Sequence, residues 1–113
     1  MPTIRFSANL GFLWQELALP DAIRRARDAG FDAVECHFPY AVDPAAVKAA
    51  LDETGLKMLG LNTSRGDREG DFGLAALPDR VEEARAAIDQ AVDYARAIGA
   101  GAVHVMAGKS QGV

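Results

Sequence analysis

The sequence predicts an α/β protein, the N-terminal half of a (β/α)8 barrel with four parallel strands and three crossover helices. Short apolar strands alternate with amphipathic helices that end at glycine, and this unit recurs three times. The strands also carry one apolar and one polar face. A doubly wound sheet is covered by helices on both sides and favours strands that are apolar throughout, so the polar face favours a barrel interior.

Proline and glycine residues mark the helix boundaries in the first two units. We expect strand one over Thr3 to Leu10, helix one from Pro20 to Ala29, and strand two over Asp32 to Phe38. Helix two begins with Asp43 as N-cap and Pro44 at the first helical position, and it ends at Gly55. Strand three then spans Lys57 to Asn62.

The third helix has the clearest periodicity. Apolar residues recur at helical spacing at Val81, Ala84, Ile88, Ala91, Ala95 and Ile98. Asp79 and Glu82 have the spacing of a capping box, Gly99 ends the helix, and Ala102 to Ala107 forms strand four.

Alternation along the strands predicts which side chains face the helices. The helix-facing set is Ile4, Phe6, Ala8, Val34, Cys36, Phe38, Leu59, Leu61, Val103 and Val105. The interior set is Arg5, Ser7, Asn9, Glu35, His37, Met58, Gly60, Asn62, His104 and Met106.

Composition limits the class of protein. The 113 residues are 50% hydrophobic and 25% charged, which suits one partial domain over residues 1–113. A net charge of -4 disfavours nucleic acid as a partner. It therefore also disfavours the alternative that the chain belongs to a metal-dependent nuclease, whose substrate is nucleic acid. The sequence lacks an apolar run long enough to span a membrane, so we expect no membrane partner. The lone Cys36 suits a reducing compartment, and we expect a cytoplasmic protein.

Residues 63–78 form a long connection after strand three with three glycines and mixed charges. Such loops at the carboxyl end of parallel strands are typically lids or binding loops, and the alternative is a mobile surface insertion. Arg65 and Asp67 are its candidate substrate ligands, or else a surface ion pair.

Polar residues near the strand ends are the other substrate-binding candidates: Asn9, Glu35, Asn62 and His104. The two asparagines could instead cap the turns that follow them. Glu35 could pair with Arg5 or His104, and Glu35, His37 and His104 together could ligate a divalent metal, although no local ligand spacing supports that hypothesis. We assign no metal ligand.

Six stretches spread along the chain have a fairly specific order and spacing: Phe6-Ser7-Ala8-Asn9-Leu10, Ala29-Gly30-Phe31-Asp32-Ala33-Val34-Glu35, Phe38-Pro39-Tyr40, Asn62 with Gly66-Asp67, Gly73-Leu74-Ala75-Ala76-Leu77-Pro78 and Val103-His104-Val105-Met106-Ala107-Gly108. Through these stretches the sequence resembles the N-terminal portion of the hydroxypyruvate isomerases, a family of the xylose isomerase-like TIM barrel superfamily. Two departures are Thr63-Ser64-Arg65, where the family usually has a proline-rich turn, and His37, where an apolar residue is commoner.

The resemblance implies an aldose-ketose type isomerisation of hydroxypyruvate to tartronate semialdehyde by proton transfer through an enediol. It implies that the two glutamates acting as acid and base, and the ligands of any divalent metal, lie beyond Val113. We therefore assign no catalytic residue and expect the 113-residue chain alone to be inactive. The alternatives are another sugar isomerase or epimerase of the superfamily, and a non-catalytic half barrel that closes its sheet with a partner chain or as a homo-oligomer.

Overall fold

A computed structural model describes residues 3–110, so the ends of the predicted 1–113 unit lie outside the described residues. The elements are β1 (Ser7–Asn9), α1 (Leu19–Asp28), β2 (Ala33–Glu35), α2 (Pro44–Thr54), β3 (Lys57–Met58), β4 (Leu61–Asn62), α3 (Val81–Ile98) and β5 (Val103–His104). The strands are shorter than predicted, but the alternation of strands with three crossover helices is confirmed.

The strands are parallel and neighbour one another in chain order. One sheet has the order β1-β2-β3, and the second pairs β4 with β5. Because β3 and β4 are two parts of one predicted strand, the sequential order runs through the whole unit. Right-handed crossovers then place all three helices on one side of the sheet. This is the arrangement of one part of a parallel barrel.

The third predicted strand is interrupted at Leu59 and Gly60. Met58 and Leu61 are both buried although they are three residues apart, so the inward face changes by one residue between them. A break of this kind moves every later side chain to the opposite face of the sheet. Our assignment of Met58 to the polar face and of Leu59 to the helices was therefore wrong, since Met58 is 2% exposed and Leu59 is 46% exposed.

The core lies between the sheet and the helices. Its largest fully buried side chains are Ile23, Val34, Val47 and Leu61. The assignment of Ala8, Val34, Cys36 and Leu61 to this core was correct. It was wrong for Ile4, Phe6, Phe38 and Val105, which are exposed. These four lie before or after the short hydrogen-bonded strand segments.

The helix ends follow the sequence signals at α2 but not at the start of α3. Asp43 accepts a hydrogen bond from the backbone N–H of Ala45, and Gly55 ends α2 with a φ of 73° that glycine adopts readily. The predicted Asp79–Glu82 capping box is wrong, because the N-cap of α3 is Arg80 and it makes no side-chain cap bond. The Arg80 side chain is used in a loop contact described below.

Candidate functional site

Four of the predicted polar side chains occupy equivalent positions in the sheet. Asn9, Glu35, Asn62 and His104 are the last residues of β1, β2, β4 and β5, respectively. The register pairs Asn9 with Glu35 and Asn62 with His104. Because parallel strands end at the same edge, the register brings these side chains to the carboxyl edge of the sheet, where barrel enzymes bind their substrates.

These four residues line one concavity of about 480 Å³. Its other lining residues are Cys36, His37, Gly60, Leu61, Ala102 and Val103. The surface is therefore a mixture of amide, carboxylate and imidazole groups with a small apolar floor. A site of this composition suits a small hydroxylated ligand.

Asn62 is held from two sides. Its side-chain oxygen lies 3.3 Å from Nδ1 of His104. An amide oxygen can only accept, so Nδ1 of His104 is the donor in this contact, and in the neutral tautomer with its proton on Nδ1 the Nε2 atom is an acceptor. The Tyr40 hydroxyl donates to the backbone carbonyl of Asn62. The sequence did not predict this contact, because a contact across 22 residues leaves no local signal.

Contact with a second tyrosine, Tyr94, holds Tyr40 in position beside Asn62. The rings of Tyr40 and Tyr94 meet edge to face with centroids 5.6 Å apart, and the Tyr94 hydroxyl donates to the backbone carbonyl of Val42 at 2.8 Å. Burial raises the pKa of both hydroxyls to about 12. They remain protonated donors at neutral pH, which keeps Asn62 in place.

Asn9 and Glu35 differ in how their side chains are used. The Asn9 side-chain oxygen accepts from the backbone N–H of Gly11 at 2.9 Å, so it caps the following turn and leaves its NH₂ group for a ligand. The half-buried Glu35 carboxylate has no hydrogen bond or ion pair among the described side chains. The suggested pairs with Arg5 and His104 are therefore not formed, and the carboxylate is available to ligand hydroxyls.

The hypothesis that Glu35, His37 and His104 ligate a metal is not supported. Among residues 3–110, no three His, Cys, Asp or Glu side chains are grouped so that they could hold an ion. The His37 ring instead contacts Phe12, with centroids 4.9 Å apart, and lies where a side chain on Gly11 would need to be. The described residues thus do not fit a divalent metal, and we derive no step through one.

Cys36 is not a nucleophile at this site. The thiol is buried, and burial raises its pKa to about 12. Since only the thiolate is strongly nucleophilic, the side chain acts as a small apolar wall at neutral pH.

Arg65 and Asp67 lie on the loop and do not line the concavity. The Arg65 side chain contacts the ring of Phe72, while Asp67 lies 3.4 Å from Arg80. The suggested Arg65–Asp67 surface pair is therefore not formed. The role of both residues in binding substrate stays a prediction.

Backbone bonds attach the end of the loop to the chain after β5. Gly73 forms an antiparallel bridge with Ala107, and the N–H groups of Leu74 and Ala76 donate to the carbonyls of Met106 and Ala107. Gly73 also donates to the carbonyl of Arg65 at 2.7 Å. The returning segment thus lies between the chain that leaves β4 and the chain that leaves β5.

A second attachment is the buried guanidinium of Arg80. It donates to both carboxylate oxygens of Asp71, at 2.7 and 3.0 Å, and to Glu83 on α3 at 2.7 Å. Arg80 therefore joins the loop to the first turn of α3. Its hydrogen bonds, with a further one from the backbone N–H of Arg68 to Asp71, hold the pKa values of Asp71 and Glu83 below their ordinary range.

We expect acid to loosen this loop before the rest of the fold. A depressed carboxyl pKa contributes stability above its unfolded value, about 4, and that stability is lost as the pH falls through the lower folded value. Amide signals of Gly73 and Leu74, followed by NMR from pH 7 downwards, should therefore change at a higher pH than those of Ile23 in α1. Simultaneous loss of all three signals would contradict this expectation.

In the described part of the chain, no helix is both long enough and apolar enough to cross a bilayer.

Two groups of named relatives match nearly the whole chain. A Homo sapiens protein provisionally named hydroxypyruvate isomerase is 46% identical over 111 residues, which are 96% of this chain and 40% of that protein. The 2-oxo-tetronate isomerase of Pectobacterium atrosepticum is 42% identical over 105 residues, 92% of this chain and 40% of that protein. The chain thus spans about two fifths of the length of these curated relatives.

Solved structures support the fold. The crystal structure of an AP endonuclease, family 2, from Brucella melitensis matches with a TM-score of 0.89 and 34% identity, over 98% of this chain and 43% of that one. The 3-keto-D-glucoside 4-epimerase of E. coli matches with a TM-score of 0.68 and 20% identity, over 89% and 37% of the two chains, which shows the fold alone. Residues 23–113 match the family described as xylose isomerase-like TIM barrel. With its sequentially ordered parallel strands, this chain belongs to that family.

Proposed function

We propose that this chain supplies part of the substrate site of an isomerase that converts hydroxypyruvate to tartronate semialdehyde. The observation that carries the proposal is the single concavity lined by Asn9, Glu35, Asn62 and His104, each the last residue of its strand. The names of relatives more than 40% identical over nearly the whole chain support the reaction class.

The reaction needs proton transfer without an external oxidant. One proton leaves carbon 3 of hydroxypyruvate, an enediol forms, and a proton is added to carbon 2, so that the ketone is reduced and the alcohol is oxidised within one molecule. We propose, as the resemblance implies, that the two glutamates that exchange these protons lie outside the 113 residues of this chain. The residues of the concavity then act as binding groups for hydroxyl and carbonyl oxygens.

Each binding group can either donate or accept hydrogen bonds. The free NH₂ groups of Asn9 and Asn62 can donate to a carbonyl or enediolate oxygen. The Glu35 carboxylate and Nε2 of His104 can accept from hydroxyl groups. Together they orient a short polyhydroxy chain across the strand ends.

A second candidate is isomerisation of a four-carbon oxo acid. It is favoured by the relatives named 2-oxo-tetronate isomerase, which are nearly as similar to this chain as the human protein. The two reactions share the enediol chemistry and differ by one hydroxylated carbon. Comparing the two acids as substrates separates them.

The proposal can be tested in a chimera in which this chain replaces the matching segment of the human relative. We expect the chimera to isomerise hydroxypyruvate. Asn62→Ala and His104→Ala should each lower kcat/KM by roughly tenfold to a hundredfold, because each change removes a hydrogen bond to a polar ligand. The purified 113-residue chain should show no turnover.

Arg85→Ala is the matched control, because Arg85 lies on the exposed face of α3 and pairs only with Glu82 in the described structure. Its kcat/KM should equal that of the unmodified chimera. Full activity of both Asn62→Ala and His104→Ala, or turnover by the isolated chain, would count against the proposal. A preference for 2-oxo-tetronate would establish the second candidate.

A further inference from the structure

We infer that Arg65 and Lys109, held against the ring of Phe72, form a subsite for the carboxylate of the substrate. The inference rests on the proposed function, and it names the feature that would select an acid over a neutral sugar. It rests on the geometry of the two cations, on the charges around them and on their place at the sheet edge.

Phe72 positions both cations. The guanidinium carbon of Arg65 lies 4.8 Å from the centre of the Phe72 ring, and Nζ of Lys109 lies 5.1 Å from it. Both distances are within the range of cation–π attraction. The ring therefore attracts both positive charges to one side chain.

The Arg65 guanidinium is also oriented by the backbone. Its Nε donates to the carbonyl oxygen of Asp71 at 3.1 Å. That bond uses the inner nitrogen and leaves the two Nη groups to donate elsewhere. A guanidinium fixed in this way offers parallel donors that match the two oxygens of a carboxylate.

Carboxylates do not neutralise Arg65 and Lys109 as they neutralise the neighbouring arginines. Arg80 and Arg68 are paired with carboxylates of the loop and of α3. Within residues 3–110, neither Arg65 nor Lys109 has a carboxylate within ion-pair distance. Two such cations in contact with one aromatic ring, in a chain of net charge -4, indicate a site that an anion completes.

A recess beside Phe72 and Lys109, which Arg65 does not line, contains acidic groups. It measures about 670 Å³ and is lined by Phe72 and Lys109 together with Glu69, Asp71 and Asp79. Asp71 is neutralised by Arg80, whereas Glu69 and Asp79 are exposed to solvent, which screens their charge. The anion is therefore expected at Arg65 and Lys109, beside Phe72, rather than deeper in the recess.

The two cations follow the strands that carry the candidate site. Arg65 is three residues beyond Asn62, and Lys109 is five residues beyond His104. Even a fully extended chain limits these Cα separations to roughly 11 Å and 18 Å. Gly73 joins the two segments by its bond to the Arg65 carbonyl and its bridge to Ala107. Both cations thus lie on the chain that leaves the strands of the candidate site, at the same edge of the sheet.

Titration of the 113-residue chain with hydroxypyruvate, followed by NMR at constant ionic strength, tests the subsite directly. We expect saturable shifts of the Arg65, Phe72 and Lys109 amide signals. Arg65→Gln and Lys109→Gln should each weaken binding by roughly tenfold or more, since a charge-assisted hydrogen bond is lost. Dihydroxyacetone has the same carbon chain without the carboxylate, and it should bind equally to all these variants.

Arg85→Gln provides the matched control, since it makes the same charge change on α3 and should leave the affinity unchanged. The inference would be overturned by absence of saturable binding, by equal affinity of the unmodified and Arg65→Gln chains, or by an equal loss in Arg85→Gln. In the chimera, Arg65→Gln should raise KM for hydroxypyruvate with little change in kcat. An active chimera with an unchanged KM would reject the subsite and leave the proposed function standing.

Discussion

Replacing Arg80 with glutamine will release the loop from α3 and lower the thermal stability of the chain. The guanidinium is 6% exposed and is hydrogen-bonded to Asp71 and Glu83. Glutamine cannot supply the charge, so the substitution leaves the mostly buried Asp71 carboxylate without its partner. Removing one member of a buried ion pair is costly because the remaining charge is desolvated without compensation.

Thermal unfolding measures the loss of stability, and amide exchange measures the release of the loop from α3. Exchange at Gly73 and Leu74 should accelerate more than exchange at Ile23, because the loop contacts are lost first. Arg24→Gln is the control, since Arg24 forms its ion pairs on the surface, where they contribute little. Equal unfolding midpoints for Arg80→Gln and Arg24→Gln would contradict the prediction.

A double substitution separates the ion pair from simple loss of packing. Asp71→Asn removes the carboxylate that Arg80→Gln would leave unpaired. We expect the double variant to be less destabilised than the sum of the two single variants, as for groups in direct contact. Additive effects would mean that Arg80 acts through packing alone.

Gly73→Ala will destabilise the chain by roughly 2–5 kcal/mol, from backbone strain and a steric overlap. Gly73 has a φ of 117°, which L-residues rarely adopt. A Cβ there would also overlap the backbone carbonyl of Met106. That carbonyl accepts from Leu74 and Ala75, so it cannot move away without breaking the loop attachment.

Gly70→Ala is the matched control for this prediction. Gly70 lies in the same loop with a φ of 85°, but a Cβ there meets nothing within 4 Å. It should cost only the strain, about 1 kcal/mol. Urea unfolding gives both free energies, with amide exchange at Ala76 as a local measure. A Gly73→Ala variant no less stable than Gly70→Ala would show that the loop is not held at this contact.

Local signals predicted the order of elements well. Asp43, Gly55 and Gly99 lie at the helix ends where their conformational preferences place them. The faces of the strands were predicted less well, because alternation assumes an unbroken strand. Because the strand is interrupted at Leu59 and Gly60, Met58 and Leu61 both face the core, whereas unbroken alternation would place them on opposite faces. A shift of one residue leaves no mark in composition.

The candidate site was predicted in the same uneven way. Asn9, Glu35, Asn62 and His104 were selected because polar residues end apolar strands, and the structure brings them to one concavity. Tyr40 and Arg80 were missed, since each acts through contacts made after the chain has folded. Lys109 follows the last strand and meets Phe72 only because the loop returns beside β5.

The amino-acid sequence alone determined the parallel α/β alternation, the start and end of α2, the end of α3 and the placing of polar groups at the strand ends. These depend on periodicity and on the conformational preferences of single residues, which act over a few positions of the chain. The tertiary structure decided the change of face in the third strand, the tyrosine support of Asn62 and the attachment of the loop by Arg80 and Gly73. Those features depend on distances between residues far apart in sequence, which only packing of the helices against the sheet establishes.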